Sequence, residues 1–324
     1  MRRIFVIAHS GFSRASNHRP IGPAQSTASV TRSSCWGSQG NEPDRLKEAV
    51  EAYLLALEEW TRGRAPAEWA TAQSDLGNAL KALGGQTGKH ETLRAAAEAY
   101  RAALSEMRRQ EKTCGWAQTC KSLGDTLAIL GIEENEAERL IDAVDAYQDA
   151  LGWIDRELFP AQWASAQVNL GNALQALAEM EKGSRRLHQA ALAYQEVLRD
   201  GTLCRTTLAA ANDNLGSVLA AIGERENSAA KLREAASAYR AALDACPEDE
   251  APLDAAKTHI NLAYTLSALW NRLRQPQALD EALLAADAAL RLIEKAGARE
   301  EMTEAKLARA AILSAMGKGK MEAA

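Results

Sequence analysis

Aromatic residues make up only 5% of this 324-residue chain, and just three of them are phenylalanine. So sparse an aromatic content disfavours a sheet-built core and suits closely packed helices. The five cysteines, Cys35, Cys114, Cys120, Cys204 and Cys246, form no C-x2-C pair and have no histidine set at metal-ligand spacing. That excludes a zinc framework and leaves reduced thiols in a cytoplasmic protein as the expectation. No apolar run approaches a membrane span, and the apolar stretch near Met1-Arg2-Arg3 ends by Ala8, too short for a secretory signal. Acids are missing from residues 1 to 41, which hold Arg2, Arg3, Arg14, Arg19 and Arg32; the net charge of −5 therefore leaves −10 for the remainder. An acidic body without a basic stripe repels phosphate backbones, so no nucleic-acid partner is expected.

Catalytic motifs are absent as well. Gly84-Gly85-Gln86-Thr87-Gly88-Lys89-His90 is one residue short of a phosphate loop, and His90 stands where a Ser or Thr should hold magnesium. His90-Glu91 has no second histidine four residues on, and His9, His18, His188 and His259 pair with no cysteine at a repeating position. The sequence predicts no enzyme, no cofactor and no metal.

What the chain does have is a 47-residue period. Tyr53, Tyr100, Tyr147 and Tyr194 are spaced by 47, Tyr239 follows after 45, and Ala286 takes the next slot. Around them recurs Ala-x3-Tyr-x2-Ala-Leu, as in Ala96, Tyr100, Ala103 and Leu104. A second signature runs in step: Leu76-Gly77, Leu123-Gly124, Leu170-Gly171, Leu215-Gly216 and Leu262-Ala263. Two signatures per period predict two elements per repeat, and an array of such repeats buries its core between neighbours.

In the segment 66 to 111, Pro66 opens a helix A along one face of which lie Trp69, Gln73, Leu76, Leu80 and Leu83. The glycines from Gly84 to Gly88 are expected to end it, and Leu93, Ala96, Tyr100, Ala103 and Leu104 mark a helix B. Gly77 sits in mid-helix at a cost of about 1 kcal/mol relative to alanine, which close helix contact would justify. The fold class expected is all-α, an α-α superhelix of antiparallel helix pairs, with twelve helices between about 43 and 317.

These two signatures resemble the tetratricopeptide repeat, whose period is 34 residues, over about residues 43 to 317. The chain departs from the pattern in its longer period, in placing Trp69, Trp116 and Trp163 seven before the leucine, and in lacking a regular closing proline. Each excess equals about two helical turns, so the resemblance implies extended helices on the same architecture. It also implies a non-enzymatic scaffold that holds a peptide or partner protein in a concave groove lined by helices A. The slots six and three before the glycine and one and four after it would line that groove. They place Asn78, Lys81, Gln118, Lys121, Asp125, Asn172, Gln175, Asp213, Ser217, Lys257 and Tyr264 there. A solvated face without a ligand is the plainer reading of any one of them. A lysine and asparagine carboxylate clamp is not reproduced, since Ser122 stands where a second asparagine is wanted.

The ends of the array differ. Residues 1 to 42, rich in Ser, Arg, Gly and Pro, lack an apolar stripe and are expected to be disordered or degenerate, a targeting segment or a start upstream of the true one. The array then enters in mid-repeat with a helix B at 43 to 61, carrying Leu46, Val50, Tyr53, Leu54 and Leu57. Either the chain is a remnant of a longer array, such as part of a signalling protein, or a partner or second copy covers that helix. At the other end Lys306 and Arg309 replace the usual polar and apolar residues of helix A, as in a cap, and 318 to 324 is expected to be a flexible tail.

Overall fold

The computed structural model describes residues 42–110, 114–199, 201, 203–298 and 301–322. The expectation for 1 to 42 lies, Glu42 apart, outside them. The described residues contain twelve α-helices and no strand, so the fold is all-α. Two compact units, Met1–Ala173 and Leu174–Ala324, divide the chain.

The first unit holds α1 (Glu42–Glu59), α2 (Pro66–Thr87), α3 (His90–Gln110), α4 (Cys114–Glu133), α5 (Ala137–Leu151) and the larger part of α6 (Pro160–Met180). Helices α2 and α3 form one A/B hairpin and α4 and α5 the next, with α1 the helix B expected ahead of them. Their contacts explain the repeated glycines. A Cβ added at Gly77 would lie 2.6 Å from Cε1 of Tyr100, and one at Gly124 would lie 2.8 Å from Cε1 of Tyr147. The tyrosine ring itself rests on the bare helix backbone, and both rings are buried.

The glycine run after Leu83 ends α2 as expected, but only its last member does so. The helix runs on through Gly84 and Gly85 and stops at Gly88, which takes the left-handed conformation with φ of 64°. Gly84 has a packing role instead: a Cβ there would come within 2.8 Å of the Leu93 side chain. Gly131 in α4 receives Leu140 in the same way. Each hairpin of this unit is therefore closed at two bare points, one under a tyrosine and one under a leucine.

The second unit comprises the end of α6, then α7 (Arg185–Leu198), α8 (Arg205–Arg225), α9 (Ala229–Ala245), α10 (Pro252–Leu273), α11 (Pro276–Ala296) and α12 (Met302–Glu322). In the α8/α9 hairpin Gly216 lies under Tyr239 and Gly223 under Leu232. Where alanine replaces glycine at 263, the tyrosine slot of α11 holds the small Ala286, and both are fully buried. Arg309 of α12 does not simply face water, because its Nε donates to Asp287 Oδ1 of α11 at 2.6 Å. Helix α12 continues to Glu322, past the expected end of the array at 317.

Helix α1 is covered less than its counterparts. Leu46 and Tyr53 are half-buried, whereas Leu93 and Tyr100, one period on, are fully buried. Leu54 is 50% exposed.

Candidate functional site

Within each unit the polar residues of neighbouring helices A meet one another. The densest group surrounds Asp125 on α4. Its Oδ2 accepts from Nζ of Lys121, one turn earlier, at 3.2 Å, and from Nζ of Lys81 on α2 at 3.4 Å. Its Oδ1 accepts from the Tyr147 hydroxyl of α5 at 2.9 Å and from Asn169 Nδ2 of α6 at 2.8 Å. Four donors around one carboxylate satisfy it in a place with little water. Burial pushes the Asp125 carboxyl up, but Lys121, Lys81 and the donated hydrogen bonds outweigh that and hold it below the usual carboxylate range.

Of the residues expected to line a groove, Lys81, Lys121 and Asp125 are thus brought together and spent largely on each other. Asn78 lies exposed one period before Asp125 and likewise accepts the hydroxyl of its tyrosine, Tyr100, at 2.8 Å. Gln118, six residues before Gly124, is exposed on α4, and Asn172 is half-buried on α6. A hydroxyl pair, Ser74 with Thr119 at 2.9 Å, ties α2 to α4 in the same manner.

In the second unit, Gln175 Nε2 donates to Ser217 Oγ at 3.2 Å, and the Thr258 hydroxyl of α10 donates to Asp213 Oδ1 of α8 at 2.7 Å. Among the described residues no lysine is seen to hydrogen-bond Asp213, and Lys257 acts on it only through its charge. Burial raises its carboxyl, and the Thr258 hydrogen bond only partly opposes this. Lys257 and Tyr264 of α10 are exposed, Tyr264 by 40%. Sequence reasoning overlooked Tyr147, Asn169 and Thr258 as members of these groups. A signal existed for Asn169: the slot before the repeated leucine is polar in every copy, as Asp75, Ser122, Asn169, Asn214 and Asn261.

Among the described residues no group of His, Cys, Asp or Glu is arranged to hold a metal ion, and no helix is long and apolar enough to cross a membrane. The helix A faces offer mixed hydrogen-bond donors and acceptors with one aromatic, which suits the alternating amides of a polypeptide.

No known family model matches the sequence, and no curated protein matches it either. Solved structures do. YrrB, a TPR protein with an unusual peptide-binding site, aligns over 80% of this chain and 98% of its own, with a TM-score of 0.50 and 18% identity. The assembly chaperone of RpL4, Acl4, aligns over 94% of this chain and 99% of its own, at a TM-score of 0.52 and 16% identity. BtubC from P. vanneervenii aligns over 80% and 94%, at 0.51 and 17%. Identities this low show the fold alone, and the fold is a helical-repeat one like that of these solved TPR structures.

Proposed function

We propose that the chain is a non-enzymatic scaffold that binds a peptide or an extended segment of a partner protein along its helix A faces. The observation carrying this reading is the division of labour among the polar residues there. Asp125, Lys81 and Lys121 hold neighbouring helices A together, while Gln118 on α4 and Lys257 and Tyr264 on α10 stay exposed beside such groups. Exposed polar and aromatic side chains on a rigid scaffold recognise a ligand with little loss of freedom. Two of the solved structures of this fold support the reading by their own roles, a peptide-binding site in YrrB and an assembly chaperone in Acl4. The acidic body fits a protein partner better than nucleic acid, and cytoplasmic residence agrees with cysteines that have no paired spacing in the sequence.

The test is a display selection of random peptides on the full chain, followed by affinity measurement on variants. Gln118→Ala should weaken a selected peptide held by the first unit, and Tyr264→Ala one held by the second, by about 1 kcal/mol or more, as truncated contact residues do. Selected peptides indifferent to both changes would remove the helix A reading. A second reading, self-association through α1, is favoured by the exposed Leu54 and the half-buried Tyr53. Sedimentation of Leu54→Glu decides it: an unchanged mass equal to that of one chain rules self-association out.

A further inference from the structure

The turn between α5 and α6 puts three large apolar side chains in water: Trp153 is 49% exposed, Leu158 71% and Phe159 40%. One period earlier the same slots hold Glu106, Glu111 and Lys112, and two periods earlier Glu59, Arg64 and Ala65. The apolar set is therefore particular to this turn and is no demand of the repeat. Nor is the turn loose. Asp155 Oδ1 accepts from the backbone N–H of Glu157 at 2.8 Å and of Leu158 at 3.0 Å, and the Phe159 N–H donates to the Asp155 carbonyl at 2.9 Å. Trp153 stands edge-on to the buried Trp116, with ring centroids 6.2 Å apart, and the Arg156 guanidinium lies 4.4 Å from the Trp163 ring centre. A turn already fixed in this way loses little freedom when covered, and a fixed tryptophan is the kind of residue that dominates interfaces.

A second observation identifies the chemistry of what covers it. The exposed face of α5 carries Glu138, Asp142, Asp145 and Asp149 at steps of four, three and four, and Trp153 follows after four more. The same slots on α3 hold Glu91, Ala95, Glu98 and Ala102, and those on α7 hold Arg185, Gln189, Leu192 and Glu196. An unbroken acidic row is thus found on the one helix that leads into the apolar turn, and Asp155 and Glu157 extend it. Of the row, Asp142 is met by Arg101 of α3 at 3.0 Å.

We infer that the outer face of α5 and the α5–α6 turn form a second docking surface, distinct from the helix A faces, for a basic amphipathic segment of another protein. The partner's apolar side chains seat on Trp153, Leu158 and Phe159, and its lysines and arginines lie along Glu138 and Asp145. An anionic lipid surface is repelled by that row, and a second copy of the chain brings the same acids and gains no such pairing.

Fluorescence anisotropy of the full chain with a labelled amphipathic peptide of leucine and lysine tests this, with a peptide of leucine and glutamate as the control. The first binds and the second does not. Trp153→Ala with Leu158→Ala weakens binding about tenfold or more. Glu138→Gln with Asp145→Gln weakens it severalfold and flattens its salt dependence. Leu284→Ala, which removes an equally exposed leucine on α11, leaves it unchanged. Should loss of Trp153 disturb Trp116 and alter the far-ultraviolet spectrum, Leu158→Ser with Phe159→Ser carries the same expectation. Equal binding of both peptides, no binding of either, or insensitivity to the turn and acidic variants overturns the inference. So does a fall in sedimenting mass on changing the turn, which would mean that a second copy occupies it. Because no helix A residue enters these comparisons, failure here leaves the groove reading standing, and the reverse also holds.

Discussion

Changing aspartate to asparagine is expected to have opposite consequences at Asp125 and at Asp213, though both lie on helix A faces. At Asp125 the change removes the anion from between two ammonium groups, Lys121 at 3.2 Å and Lys81 at 3.4 Å, in a site where Lys121 and Asp125 are buried. Removing one partner of a buried ion pair costs about 3–5 kcal/mol, because a charge is left without compensation. Asparagine keeps one acceptor for Tyr147 and Asn169, so the lower end, about 3 kcal/mol, is expected. At Asp213 burial disfavours the charged form, and the Thr258 hydroxyl can donate equally well to an amide oxygen. There asparagine should be neutral or stabilising at pH 7.

The pH dependence separates the two cases further. Folding lowers the pKa of Asp125, so its contribution is present above the unfolded value of about 3.9 and is lost as pH falls through the lower folded value. Folding raises the pKa of Asp213, so its penalty is present above the folded value and disappears as pH falls towards about 3.9. Urea unfolding of both variants followed by circular dichroism, at pH 7 and at stepwise lower pH, measures this directly. If Asp125→Asn unfolds with the wild-type midpoint at pH 7, or if Asp213→Asn proves the more damaging of the two, the reasoning about these carboxylates is wrong.

Adjacent glycines of α2 should also diverge. Gly84→Ala meets Leu93 and should destabilise, whereas Gly85→Ala has open space in the same helix and should gain about 0.5–1 kcal/mol; matched urea midpoints decide. Truncating the buried Tyr147 to alanine should cost about 3–5 kcal/mol, and Gly124→Leu beneath it about 1–3 kcal/mol, both read as lowered unfolding midpoints. Tyr100→Phe removes the 2.8 Å hydrogen bond to Asn78 together with the hydroxyl's interaction with Ser122, and should cost about 1 kcal/mol or more by the same assay.

Much of the fold is legible because one packing contact is written out once per period. Gly77 with Tyr100, Gly124 with Tyr147 and Gly216 with Tyr239 are the same contact, so the glycine and the tyrosine must recur together. Gly84 was harder to read. A glycine pair near a helix end suits a stop signal and a leucine seat equally well, and the choice depends on Leu93, which only the folded hairpin brings against it. The helix A slots were also legible, but what those residues do was not. Lys81 reaches Asp125 across 44 positions and Thr258 reaches Asp213 across 45, so polar residues that look free in one repeat are partners of the next. The apolar turn after α5 escaped notice because Trp153, Leu158 and Phe159 fall outside both repeating signatures, where only exposure distinguishes them from core.

Hydrogen–deuterium exchange of the full chain, with and without a peptide selected on it, tests the scaffold reading most directly. Protection should concentrate on α4 around Gln118 for a peptide held by the first unit, or on α10 from Lys257 to Tyr264 for one held by the second, while the outer faces of α3 and α9 exchange as before. Protection confined to helices B or to the α5–α6 turn, with α4 and α10 unchanged, would contradict the assignment of the helix A faces as the binding surface.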